Sequence, residues 1–349
     1  MTYELNLPSF YSPDAVADMK RYVDYHSVEA AALAARKNQG VKLAATDSLK
    51  IAVLPIDVQL TFCDPKGQLY VGGRTGTGAV DDSRRLAEFI YRNAGVITRI
   101  YPTLDTHKRI QIFHCAFWVD ANGEQVPPYT IITLDDVRTG RWRANPRVAF
   151  SVFGTPNAVA HLQAYAEHYV RKLTDDGKYP LMVWPYHAML GGVEHALVPA
   201  LHEAFFYHNA LREAETLHET KGGNPLSENY AITHPEVLLD HRSKVVGHRN
   251  QMFIDKLFGY DMVIIAGQAK SHCVAWTIAG ILEDIQKKDP ALAKKIYLLE
   301  DCSSPVVTPA IDFTDMADAA YAKFAQAGMH VVKSTTPISQ WPGIAAQVG

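Results

Sequence analysis

The sequence predicts an α/β fold with a doubly wound, mostly parallel sheet flanked by helices. Three observations predict it. Short apolar runs recur along the chain, and amphipathic segments of helical length alternate with them. Four of the runs end directly at Asp57, Asp105, Gly267 and Glu300, so polar groups or a tight turn follow the strands. In open α/β sheets that is the end where ligands bind.

Taken in order, residues 1–48 read as an N-terminal helical extension with an Ala-rich stretch at Ala30–Arg36. Residues 49–349 read as one domain. Its strands are expected at Ile51–Ile56, Val96–Leu104, Met262–Ala266, Ile296–Leu299 and Met329–Val332. Helices are expected at Val80–Asn93, from Cys273 to about Gln286, and at Met316–Gly328. From about 108 to 261 the rhythm lapses into a stretch rich in His, aromatic residues and Pro, which reads as inserted loops and helices.

Composition narrows the function. Among 349 residues, 48% are apolar and 20% charged, enough to bury a core. A net charge of −3 and the lack of Lys/Arg runs predict no nucleic-acid partner. No apolar run approaches the roughly 20 residues of a membrane span, and no basic segment precedes an apolar one at the start. The four cysteines are scattered without a C-x-x-C pair, which argues against disulfides or a thiolate zinc site. A cytoplasmic enzyme or binding protein is the expectation.

Cys273 lies at a predicted strand-to-helix turn, where a helix N-terminus favours thiolate and its N–H groups can hold an oxyanion. An inert, half-buried thiol fits the same position. Asp57 ends a strand, where a carboxylate can take and return a proton or merely cap a turn. Lys221 sits in a loop, where a solvated charge is the plain alternative. Asp105 and His107, two apart, suit a divalent first-row metal, with His114 and His187 as candidates to complete the site. Two motifs are dismissed. His202-Glu203 lacks the second His of a zinc-protease helix, because Phe206 stands there. The Gly72–Gly78 loop lacks a phosphate loop's Lys-Ser/Thr ending and reads as a lid or turn.

Several segments, in order from about Ile51 to Pro305, resemble the isochorismatase-like cysteine hydrolases, and within them the nicotinamidases. Asp57-Val-Gln-Leu-Thr-Phe62 is similar to the family's D-x-Q-x-x-F opening, and Asp105-Thr-His107 to its D-x-H segment. Trp184-Pro-Tyr-His187 resembles W-P-x-H, and Lys221-Gly222 with Tyr230 resembles the K-G segment. Gly267–Val274 resembles the G-x-A-x-x-x-C-V turn, and Leu298–Asp301 the strand after it. The chain departs from the pattern at Thr106, where an aromatic is usual, and at Gln111–Trp118, where a Ser-Phe element is usual.

The resemblance implies an isochorismatase-like hydrolase fold and a triad of Asp57, Lys221 and Cys273. It implies an oxyanion hole from the backbone N–H groups of Ala269 and Cys273, with a cis peptide at Gln268–Ala269. A divalent metal would sit on Asp105, His107 and His187, zinc first, with iron or manganese as alternatives. His114 is a further candidate ligand. Phe62 and Trp184 would line a ring pocket. The implied reaction is hydrolysis of nicotinamide to nicotinate and ammonia through a thioester, a step of NAD salvage. Other readings are hydrolysis of a carbamoyl amine or ureidoacrylate, a non-catalytic pyridine sensor, and a vinyl-ether hydrolase acting on isochorismate, which typically lacks the cysteine. The expected partner is a small amide, with homo-oligomerisation left open.

Overall fold

In the computed structural model, which describes residues 4–308 and 311–344, five strands form one wholly parallel sheet. They are β1 (Ile51–Ile56), β2 (Arg99–Ile100), β3 (Met262–Gly267), β4 (Ile296–Leu299) and β5 (His330–Val332), in the order β5-β4-β3-β1-β2. Residues 1–3 of the predicted extension, and 309–310 and 345–349 of the predicted domain, lie outside the described residues. Every residue of β1, β3 and β4 is buried, which is why these strands read as unbroken apolar runs rather than as alternating ones.

The chain steps from β1 to β2 on one side, then returns to the other side of β1 for β3, β4 and β5. The order therefore reverses between β1 and β3, whose register runs from Ile51 opposite Met262 to Ile56 opposite Gly267. Two residues adapt this seam. Pro55 lacks an N–H, yet lies inside the sheet. The carbonyls of Ile51 and Val53 face β2 and accept from Thr98 and Tyr101, so Pro55, of the same parity, points past the end of β2 where no partner is due. Gly267 has φ 112, and a Cβ there would stand 2.1 Å from the Ile56 carbonyl oxygen. Only glycine allows the two strands to close at this end.

The expected elements are present with shifted ends. The strand expected over Val96–Leu104 is two pieces, Arg99–Ile100 and Thr103–Asp105, separated at Pro102, which has no N–H to give a ladder and restrains the residue before it. The helix expected from Cys273 starts earlier, with a π turn at Lys270–Val274 that runs into Ala275–Lys288. Helices Gly78–Asn93 and Thr314–Gln326 match their expected positions closely.

Two compact units are present: Met1–Leu104 with Ala196–Glu219 and Gln251–Gly349, and Asp105–His195 with Thr220–Asn250. The first holds the sheet. In it the Ala-rich segment forms helix Tyr25–Gln39, capped by the Asp24 side chain and ended by Gly40. It packs on helix Pro199–Arg212, and Arg36 reaches the Ala210 carbonyl and Glu213 at 2.9 and 2.7 Å. The second unit contains helix Val159–Asp175 and two short antiparallel strand pairs, Trp118–Val119 with Arg143–Ala144 and Ile131–Ile132 with Leu181–Met182. Among the described residues no helix is long and apolar enough to cross a membrane.

Gly267→Ala is expected to cost about 3 kcal/mol or more in urea unfolding, because both the φ and the space exclude a methyl group. Gly40→Ala, at φ 64 with nothing within 4 Å of the added Cβ, should cost only about 1–2 kcal/mol. Equal costs would show that the closeness of β1 and β3 is not what requires the glycine.

Candidate active site

In the first unit the residues of interest gather at the carboxyl ends of β1 and β3. Asp57 follows β1 directly and takes a left-handed backbone, φ 48. Its N–H donates to Thr103 Oγ1 at 3.0 Å, and that hydroxyl donates back to Asp57 Oδ1 at 2.6 Å. The carboxylate is thus buried and aimed by a threonine that the sequence reading did not single out. Thr103 lies two residues before Asp105 in a strand, the one signal that could have marked it.

After β3 the chain turns through Gly267, a cis peptide at Gln268–Ala269, and the π turn that carries Cys273. The Gln268 side chain anchors the turn by donating to buried Asp82 at 2.9 Å. Lys270 N–H donates to the Ser304 carbonyl at 2.8 Å, and Val306 N–H to Ser271 Oγ at 3.0 Å. The Ala269 carbonyl accepts from His272 and Val274, which winds the turn tightly around Cys273. A carboxylate oxygen of Asp57 and the sulfur of Cys273 come within 4.8 Å of each other. That is the spacing from which a small side-chain rotation makes a proton-transfer contact. All four cysteines are free and buried. Burial pushes the Cys63 thiol up to about 12 and the Cys115 and Cys302 thiols upward as well, so those three resist becoming nucleophiles. Phe62 is buried in the short helix Leu60–Cys63 that follows Asp57.

In the second unit Asp105, His107 and His187 are all buried, with one donor atom from each within 4.8 Å of the others. Asp105 Oδ2 lies 2.8 Å from His107 Nε2 and 3.6 Å from His187 Nε2. The opposite ring nitrogens donate to backbone carbonyls, His107 Nδ1 to Gly222 at 3.1 Å and His187 Nδ1 to Pro185 at 2.8 Å. These bonds turn both Nε2 atoms inward toward Asp105, as the outer shell of a metal site does. Gly222 has φ 85, and a Cβ there would meet His107 and Asp105 at 2.5 and 2.6 Å, so the Lys-Gly pair is needed for this approach.

Lys221, expected as a loop lysine, is buried, and its ammonium lies 2.9 Å from Asp105 Oδ1. Burial alone would raise the Asp105 carboxyl, but His107 and Lys221 outweigh it and hold that carboxyl well below the usual range. His187 is lowered by burial and stays neutral. His114 stands beside the cluster, its ring 5.7 Å from His107 and 5.8 Å from His187. Its Nδ1 meets the Lys108 carbonyl at 3.0 Å, and its Nε2 is buried with no hydrogen-bond partner among the described residues. Burial, and after it the two neighbouring histidines, push it down to about 3, so it too is neutral. One carboxylate, two inward imidazoles and an orphaned third imidazole nitrogen fit a divalent first-row cation. Trp184 is buried nearby in sequence, its indole N–H donating to Tyr230 Oη at 3.0 Å. Thr106, the departure from the family pattern, meets His195 Nε2 through its hydroxyl at 2.9 Å.

Glu228, which no motif marked, is buried in the same unit, and its carboxylate accepts the Asn229 N–H at 2.9 Å. Burial pushes its carboxyl up to about 7; His107 and Lys221 oppose the rise and Asp105 adds to it. With the folded value above the ordinary 4.5 of the unfolded chain, its contribution to stability is complete below about 4.5 and lost as pH rises through about 7. Glu228→Gln should therefore gain stability over wild type at pH 8 relative to pH 5, on the order of 2–3 kcal/mol. Urea unfolding of metal-free protein at the two pH values reads this, and a pH-independent difference would refute it.

No protein-family model matches the sequence, and no curated protein sequence does. Among solved structures, the chain is similar to a nicotinamidase/pyrazinamidase of Acinetobacter baumannii, at 18% identity and TM-score 0.47, over 83% of this chain and 98% of that one. It is similar to the yeast nicotinamidase, at 17% identity and TM-score 0.48, over 81% and 99% of the two chains. It is also similar to an isochorismatase-like hydrolase of Alkaliphilus metalliredigens, at 13% identity and TM-score 0.38, over 82% and 95%. These solved neighbours are hydrolases, nicotinamidases and an isochorismatase-like enzyme among them.

Proposed function

We propose that this protein is a cysteine amidohydrolase that converts nicotinamide to nicotinate and ammonia. The observation that carries the reading is the meeting of the Asp57 carboxylate and the Cys273 sulfur at neighbouring strand ends, on either side of the sheet's switch point. The buried Asp105–His107–His187 cluster supports a pyridine carboxamide over a ureido substrate, whose hydrolases resemble the family without the metal segments.

Asp57 accepts the thiol proton, and Cys273 attacks the carboxamide carbon. The N–H groups of Ala269 and Cys273 hold the oxyanion that forms. Asp57 returns the proton to the nitrogen, ammonia leaves, and a thioester remains. Water, deprotonated by Asp57, then releases the acid and restores the thiol. Lys221, by resemblance the third member of the triad, would hold Asp57 and the thiolate in register through its positive charge. Asp105, His107 and His187 would hold the cation, with His114 as a further ligand; when bound, it supplies a Lewis acid that accepts a ring-nitrogen lone pair. Phe62 and Trp184 would flank the ring.

Cys273→Ala should lower amide turnover by at least about 10^4-fold while far-UV circular dichroism and urea midpoint stay near wild type. Retention of more than about a tenth of the rate would exclude covalent catalysis by this sulfur.

Ammonia release should be seen with nicotinamide and pyrazinamide and be much slower with benzamide, which lacks the ring nitrogen. Trp184→Ala should mainly raise KM, since stacking holds ground and transition states alike. Equal rates on benzamide would remove the role of the ring nitrogen. Activity confined to a ureido compound would assign the chain to that substrate class instead.

A further inference from the structure

A second group of side chains of metal-ligating type lies elsewhere in the second unit. Helix Val159–Asp175 carries His161 in its first turn and His168 two turns on, along one face. A tight hairpin lies against that face, closed by a bridge between Leu239 and Val245 and turning through Ser243 at φ 61. His168 Nε2 reaches the Leu239 carbonyl at 2.9 Å and pins the hairpin to the helix. Asp240 Oδ1 accepts the backbone N–H groups of Arg242 and Lys244, both at 2.8 Å. Its other oxygen, Oδ2, is thereby turned toward His161 Nε2 at 4.0 Å. His241 Nε2 lies 3.3 Å from His161 Nδ1, and its Nδ1 is buried with no hydrogen-bond partner among the described residues.

We propose that His161, Asp240 and His241 form a divalent-metal site of the zinc class that clamps the first turn of this helix to the hairpin. One donor atom from each residue lies within 4.8 Å of the other two. Zinc with bonds of about 2.0–2.1 Å holds its donors roughly 3.3–3.5 Å apart, so modest side-chain rotations close the set onto one ion. Two imidazoles and a carboxylate suit zinc and its first-row neighbours, whereas magnesium and calcium prefer all-oxygen sets. The pinned hairpin fixes two of the three ligands before a metal arrives, which lowers the ordering cost of binding.

The test titrates zinc alone into the full-length protein, counting bound equivalents by equilibrium dialysis with elemental analysis. Wild type should bind one zinc more than His241→Ala or Asp240→Asn. Asp240→Asn keeps the oxygen that accepts from Arg242 and Lys244, so the hairpin turn survives it. The difference reads the same whether or not the Asp105–His107–His187 cluster binds: two falls to one, or one falls to none. Zinc should also raise Tm more in wild type than in either variant, because a ligand that binds only the folded chain stabilises it by mass action. Equal zinc counts in wild type and both variants would overturn the site and leave the two imidazoles as a hydrogen-bonded pair.

Discussion

The contact of Gly267 with Ile56 is the constraint from which the candidate site of the first unit follows. β1 and β3 pair over their whole lengths, and they can close at the carboxyl end only because position 267 lacks a side chain. Closing there brings the residue after β1 beside the turn after β3. Asp57 and Cys273 are neighbours because of this register, although 216 residues of sequence separate them (273 − 57). Among the described residues, the same seam is where the order of the sheet reverses, the position at which open α/β sheets bind ligands.

The second unit solves a different problem, which is to hold several charged groups out of water. A buried carboxylate is costly unless its lone pairs are met. Asp105 meets the cost with a lysine on one oxygen and imidazoles on the other. Backbone carbonyls of Gly222 and Pro185 hold the imidazoles, so their orientation belongs to the chain trace and not to side-chain chance.

Much of this was legible in the sequence. The strands showed as apolar runs because burial on both faces removes the polar alternation that would blur them. Val96–Leu104 misled because apolar character alone does not register that Pro102 cannot give a ladder bond. Motif spacing marked Asp105, His107 and His187, but could not show that Lys221 is buried against Asp105, since that depends on the path of Gly222. Thr103 and Glu228 stayed hidden for the same reason. The spacing of Thr103 from Asp105 was a trace of the first, but an acid lifted by burial leaves no periodic trace.

The two oxygens of Asp105 serve different masters, and this bears on how changes at the cluster translate into stability. Oδ1 neutralises the buried Lys221 ammonium, while Oδ2 faces His107 and His187. Removing the carboxylate strands a lysine in the interior, and breaking such a pair typically costs about 3–5 kcal/mol. A chain altered at Asp105 would thus lose folding stability and a member of the candidate cluster together. Replacing His187 instead removes a neutral ring and leaves the lysine compensated. The carboxylate is a structural counter-ion as much as a candidate ligand, and the histidine is the separable part of the cluster.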